Sequence, residues 1–174
     1  ILQMLNYNTN ISKNSLIGMG NILDTSRFKY HIYQELINHN MNPSMNITAE
    51  VIGLHTDKDM IPLINYAKVD KVFVKNIFTK DILDKIVQDT KNGGATITNL
   101  MGTSACYSPA ASITELVECI IHDSKKVLSC STLLNGEYGI HNKCIGVPVI
   151  IGKTGIEKIM NYDLNNEELL KLQK

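Results

Sequence analysis

Three residues early in the chain have side chains suited to moving a proton and gripping an anion: Asp24, Arg27 and His55. Asp24 and Arg27 stand three apart within ILDTSRFKYHIYQELI, a spacing that puts both on one face of a helix. His55 ends an apolar run, AEVIGL, and opens a charged one, TDKD. Singly, each has an ordinary explanation. A D-x-x-R pair is most often an exposed ion pair of small energetic consequence, and a histidine at a strand end is usually a loop residue. Together they describe a reaction centre. A histidine serves as general base near neutral pH, a neighbouring carboxylate fixes its tautomer and stabilises its protonated form, and an arginine grips a carboxylate through two parallel hydrogen bonds. Oxidation of a 2-hydroxy acid needs this equipment, with the base taking the hydroxyl proton as hydride leaves for a cofactor.

The surrounding elements must bring these residues together. Apolar periodicity predicts a helix over residues 22–37, with Leu23, Phe28, Ile32, Leu36 and Ile37 on its buried side. SLIGMG before it reads as a short buried strand, and HNMNPSMNIT after it as a loop. AEVIGL is a strand that delivers His55, and residues 61–74 contain small strands such as KVFV. Thr79 stands at the cap position of a long helix with an acidic start (Asp81, Asp84), interrupted by Gly93-Gly94, a pair that allows a kink or close packing. A further helix begins at Ser108 as cap with Pro109 in its first position. KKVLSCSTLL, KCIGVPVIIG and GIEKIMNYDL are strands, the first two joined by a turn at NGEYG, and NNEELLKLQK is an amphipathic helix. Helices mixed with antiparallel hairpins, rather than strict β-α-β alternation, predict an α+β domain.

Composition narrows the function classes. The chain has 174 residues, 44% hydrophobic and 20% charged, with 17 Lys+Arg against 17 Asp+Glu. Zero net charge argues against nucleic acid or an anionic membrane as partner, and no apolar run approaches a membrane span. Cys106, Cys119, Cys130 and Cys144 are widely spaced, with no C-x-x-C pair, so reduced thiols in a cytoplasmic protein are expected and a metal site is not. No G-x-G-x-x-G follows a strand and no Walker loop is present. The chain opens on ILQMLNY without a capping residue, which reads as an element entered partway along.

IGMGNILDTSRFKYHIYQEL resembles the L-D-x-x-R-F helix of the L-lactate/malate dehydrogenase family, and GLHTDKDMIPL its G-x-H-G-D…P-L segment. The longest likeness runs from NGGATITNLMG through TSACYSPAAS to GVPVIIGKTGIEKIM, and is to the C-terminal half of bacterial malate dehydrogenases of the lactate-dehydrogenase-like type. The resemblance implies that His55 is the proton acceptor and donor, that Asp24 is its paired carboxylate, and that Arg27 binds the substrate's C1 carboxylate. It places Ser104 and Ala105 on a helix lining the substrate and nicotinamide pocket. It also implies NAD as cofactor, held mainly by a preceding Rossmann half, a small dicarboxylic acid as substrate, and a homodimer or homotetramer. Residues 1–20 would then end a truncated nucleotide-binding half, and residues 21–174 would form the catalytic domain. The expected activity is malate dehydrogenase, with lactate dehydrogenase or an inactive oligomerisation fragment as alternatives. Three local differences from the family stand out: Thr56 replaces the glycine after the histidine, the span from His55 to Pro62 is one residue longer, and MGTSACYSP is one residue shorter.

Overall fold

The computed structural model describes residues 1–41 and 46–174. Its helices are α1 (Leu2–Asn8), α2 (Gly20–Asn38), α3 (Lys80–Met101), α4 (Tyr107–Ile121) and α5 (Asn166–Gln173). Its strands are β1 (Ile47–Thr48), β2 (Val51–Gly53), β3 (Met60–Pro62), β4 (Lys68–Val69), β5 (Val72–Phe73), β6 (Lys126–Asn135), β7 (His141–Gly152) and β8 (Gly155–Ile159). The strands form two antiparallel sheets, a small one in the order β1-β4-β5 and a five-stranded one in the order β3-β2-β7-β6, with β8 also on β7. This is the expected α+β domain. β7 carries β6 along one edge; β2, at Gly146, and β8, at residues 149–152, share the other.

Helix α2 crosses the large sheet and packs against α3 on its other side. Its apolar residues divide between two cores. Ile22 joins the sheet core of β6, β7 and β8, with Cys130, Val147, Val149 and Ile151. Phe28, Ile32 and Leu36 join a second core with Val51, Met60, Val74 and Ile86. Strand β2 lies between the two, because successive side chains point to opposite faces: Val51 enters one core and Ile52 the other. The element that delivers His55 is thereby clamped on both sides.

Several local expectations are corrected. SLIGMG makes no strand. Ser15 ends a 3-10 turn and α2 begins at Gly20, which leaves room only for one bridge between Gly18 and Ser131. Ile37 is exposed rather than buried. The expected loop HNMNPSMNIT ends in strand β1, and its residues 42–45 lie outside the described residues. Thr79 occupies the cap position of α3 without a side-chain bond, and α3 runs unbroken through Gly93-Gly94. Helix α4 starts at Tyr107 with Cys106 at its cap, so Pro109 is third, not first. A proline fits there because the first-turn N–H groups have no intrahelical acceptor. α5 has a full capping box: the Asn165 side chain accepts from Glu168 N (2.9 Å), and Glu168 accepts from Asn165 N (3.0 Å).

Candidate active site

Asp24, in the second turn of α2, has no exposed surface. It faces two partners. Its Oδ2 lies 2.7 Å from His55 Nδ1 and its Oδ1 lies 3.6 Å from an Arg27 terminal nitrogen. The D-x-x-R pair is therefore not an exposed ion pair, since the Arg27 side chain is only 13% exposed. A carboxylate only accepts hydrogen bonds, so His55 Nδ1 is the protonated, donating nitrogen. This hydrogen bond raises the His55 pKa above its ordinary 6.5, against opposing contributions from partial burial and from Arg27. The ring is 47% exposed, and Nε2 has no partner among the described residues. The site thus presents an imidazole with one nitrogen tied to a buried carboxylate and the other open for proton exchange.

The chain reaches this geometry through glycines. Gly53, the last residue of β2, has φ of 92°, and a Cβ there would run into the Asp59 carbonyl. Only glycine turns the strand end sharply enough to swing His55 back over α2. A Cβ on Gly20 would stand 2.5 Å from His55 Cγ, so the ring sits directly on the start of α2. Arg27 lies against α3, with its Cδ 3.1 Å from a Cβ position on Gly93 and Nη1 3.4 Å from one on Gly94. The glycine pair thus serves close packing and does not interrupt the helix.

After His55 the chain makes an exposed turn. Thr56 Oγ1 accepts from Asp59 N (3.1 Å) and donates to Asp59 Oδ2 (2.7 Å), and Thr56 O accepts from Met60 N (3.1 Å). Thr56 does not have a positive φ, so nothing at this position requires glycine. The turn lies in solvent and leads directly into β3 at Met60. Asp57, Lys58 and Asp59 are exposed, as expected of turn residues.

A cleft of about 490 Å³ opens beside Arg27 between α2 and α3, lined also by Tyr30, His31, Asn92, Gly93 and Thr96. Asp24 and His55 do not line this cleft; the Nε of Arg27 and the Oδ1 of Asp24 are buried without hydrogen-bond partners among the described residues. A larger cavity, about 610 Å³, lies elsewhere around Glu50, Tyr66 and Tyr162 and touches none of the three residues. Ser104 and Ala105 fall outside both. They occupy the connection between α3 and α4, not a helix, with Ser104 exposed and Ala105 partly so. The left-handed Gly102 that ends α3 takes the chain out of helix before it reaches them. Among the described residues no cluster of His, Cys, Asp and Glu could hold a metal, and no helix is long and apolar enough to cross a membrane.

An α+β domain in which a buried carboxylate joins a histidine to an arginine has the parts of a hydroxy-acid dehydrogenase's catalytic portion. Comparison with known proteins identifies the family. The sequence model of the lactate/malate dehydrogenase α/β C-terminal domain matches residues 22–174. The chain is 46% identical over 160 residues to the malate dehydrogenase of Flavobacterium johnsoniae, an alignment covering 92% of this chain and 50% of that protein. It is 48% identical over 161 residues to the malate dehydrogenase of Bacteroides thetaiotaomicron, with the same coverage. Among solved structures, the malate dehydrogenase from Salinibacter ruber matches with a TM-score of 0.89 and 34% identity over 98% of this chain and 54% of that one. The lactate dehydrogenase from Eimeria maxima with NADH and oxamate matches with a TM-score of 0.89 and 34% identity, over 99% and 52%. The chain belongs to the lactate/malate dehydrogenase family and has the fold of its C-terminal α/β domain. It spans about half the length of the curated relatives it matches.

Proposed function

We propose that this chain is the substrate-binding, catalytic portion of an NAD-dependent malate dehydrogenase. The observation that carries the reading is the buried Asp24, which joins His55 and Arg27 into one unit. In malate oxidation the neutral His55 takes the hydroxyl proton on Nε2, and Asp24 stabilises the imidazolium that forms. In oxaloacetate reduction the imidazolium returns that proton to the carbonyl oxygen. Arg27, rigid against α3, pairs with the substrate's C1 carboxylate. Ser104 and Ala105, on the connection after α3 and outside the Arg27 cleft, would meet substrate or nicotinamide only in the assembled enzyme.

NAD, when bound, exchanges the hydride with the substrate carbon. The half-exposed His55 with its open Nε2 suits a nicotinamide and substrate brought to it from outside this domain. No strand–glycine–helix phosphate cradle occurs among the described residues. The phosphates and riboses are therefore assigned to a nucleotide-binding half, with residues 1–20 as its end and residues 21–174 as the catalytic domain. The protein is cytoplasmic and assembles as a homodimer or homotetramer, for which the exposed Ile113, Val117 and Ile121 of α4 supply an apolar stripe at helical spacing.

The test is NADH-dependent turnover by the intact protein with oxaloacetate and with pyruvate. A kcat/KM favouring oxaloacetate is expected. Preference for pyruvate would establish the lactate reading instead. Residues 1–174 alone are expected to turn over neither substrate, and activity from them would refute the assignment of cofactor binding to another half.

A further inference from the structure

Asn21 is fully buried, in the first turn of α2, and belongs to none of the roles above. Its Nδ2 donates to the carbonyl oxygen of Gly53, 3.1 Å away, at the end of β2. Its Oδ1 is buried without a hydrogen-bond partner among the described residues. The amide lies directly over Gly146 of β7, the residue paired with Gly53 across the sheet, and a Cβ on Gly146 would overlap it. A half-satisfied buried amide is costly, and an apolar residue of similar size would avoid the cost. The one bond it makes therefore needs a reason.

The reason lies in the register of two parallel contacts. Asn21 and Asp24 stand three apart on α2 and share a face. Gly53 and His55 stand two apart in the chain that α2 faces. The Asn21 bond to Gly53 and the Asp24 bond to His55 therefore join the same helix to the same strand end, one turn apart. Gly53 is also where the chain leaves β2 at positive φ; the other hydrogen bond from α2 to β2, Thr25 Oγ1 accepting from Val51 N (3.0 Å), lies two residues earlier, before the bend. We propose that Asn21 is a positioning residue that sets the distance between helix α2 and the Gly53 bend, and so holds His55 in line with Asp24. The proposal rests on the proton-transfer reading of His55.

The test uses the intact protein with Asn21→Ala. Loss of the anchor is expected to lower kcat for oxaloacetate reduction by about tenfold, the scale on which small misplacement of a catalytic group is felt. KM is expected to change by less than about twofold, because Arg27 is held by α3 and not by Asn21. The NMR titration of the His55 ring is expected to move down toward 6.5, because the Asp24 bond that raises it is loosened. Asn21→Ala also leaves a void, so the double variant Asn21→Ala with Gly146→Ala supplies a methyl group to the same space. The kcat loss and the His55 shift are expected to persist in the double variant while thermal stability recovers. An unchanged kcat and His55 titration in either folded variant would overturn the proposal, as would full recovery of kcat in the double variant, which would mean that volume alone matters. The titration does not depend on turnover. If His55→Asn proved fully active, the functional reading would fail while the His55 shift still decided the role of Asn21.

Discussion

Asp24 has no solvent around it and two neighbours, the cationic Arg27 and the titratable His55, and the chemistry of the site follows from how they share it. The short hydrogen bond goes to His55 and the longer contact to Arg27, so the carboxylate acts chiefly on the imidazole. Because Asp24 raises the His55 pKa above 6.5, the imidazolium persists closer to neutral pH than for a free histidine. Reduction, which needs the protonated ring, is expected to lose kcat/KM as pH rises through that raised value, and oxidation to gain it. Asp24→Asn should move both inflections to lower pH, as pH–rate profiles in the two directions would report. The same shift links to stability. The His55 contribution is complete below the unfolded pKa of 6.5 and fades as pH rises through the folded value. The grouping of Asp24, Arg27 and His55 was legible in the sequence, because they carry side chains with chemistry of their own. Asn21 was not. An amide has no meaning until Gly53 and Gly146 are known to lie on either side of it.

Helices α2 and α3 hold Arg27 between them, and α3 does so with a glycine pair in mid-helix. Alanine in place of glycine in a helix interior ordinarily stabilises by about 1 kcal/mol. At Gly93 the added methyl would press on Arg27 Cδ at 3.1 Å. Gly93→Ala is therefore expected to leave the melting temperature equal or higher while raising KM for oxaloacetate, because the guanidinium is displaced. An unchanged KM would mean that the pair serves the helix and not Arg27. The glycines were visible in the sequence as an interruption that allows a kink or close packing; the helix runs unbroken and close packing is what they provide, but the pattern of one helix contains nothing of the arginine packed against it. SLIGMG misled for a related reason: a short apolar run before a helix matches a strand in composition, and only the start of α2 at Gly20 removes the length a strand needs. Pro109 suggested its own position as the helix start, although any position in the first turn tolerates it. The helix over α2 was legible because Phe28, Ile32 and Leu36 face one core in a single stripe.

The molecule as a whole has two cores with β2 between them, and that strand carries a buried acid. Glu50, just before β2, accepts from Ser129 Oγ of β6 at 2.5 Å, and burial raises its pKa above the ordinary 4.5. Its stabilising, protonated form is complete below 4.5 and is lost as pH rises through the folded value. Glu50→Gln keeps an acceptor for Ser129 without the charge, so its gain in melting temperature over the parent protein is expected to be larger at pH 8 than at pH 5. An equal change at both would mean that Glu50 is not buried as described. The paired cores also fix β2, and therefore His55, from both sides. Phe28→Ala, which empties one of them beside α2, is expected to cost about 3–5 kcal/mol in chemical denaturation. These scales meet at one histidine. The central claim is that His55 moves the substrate's proton, and the most direct measurement is kcat for oxaloacetate reduction by the intact protein carrying His55→Asn. The expected result is a folded protein whose kcat falls on the order of 10²–10⁴-fold, the usual worth of a positioned acid–base group. A folded variant with kcat near that of the parent protein would contradict it.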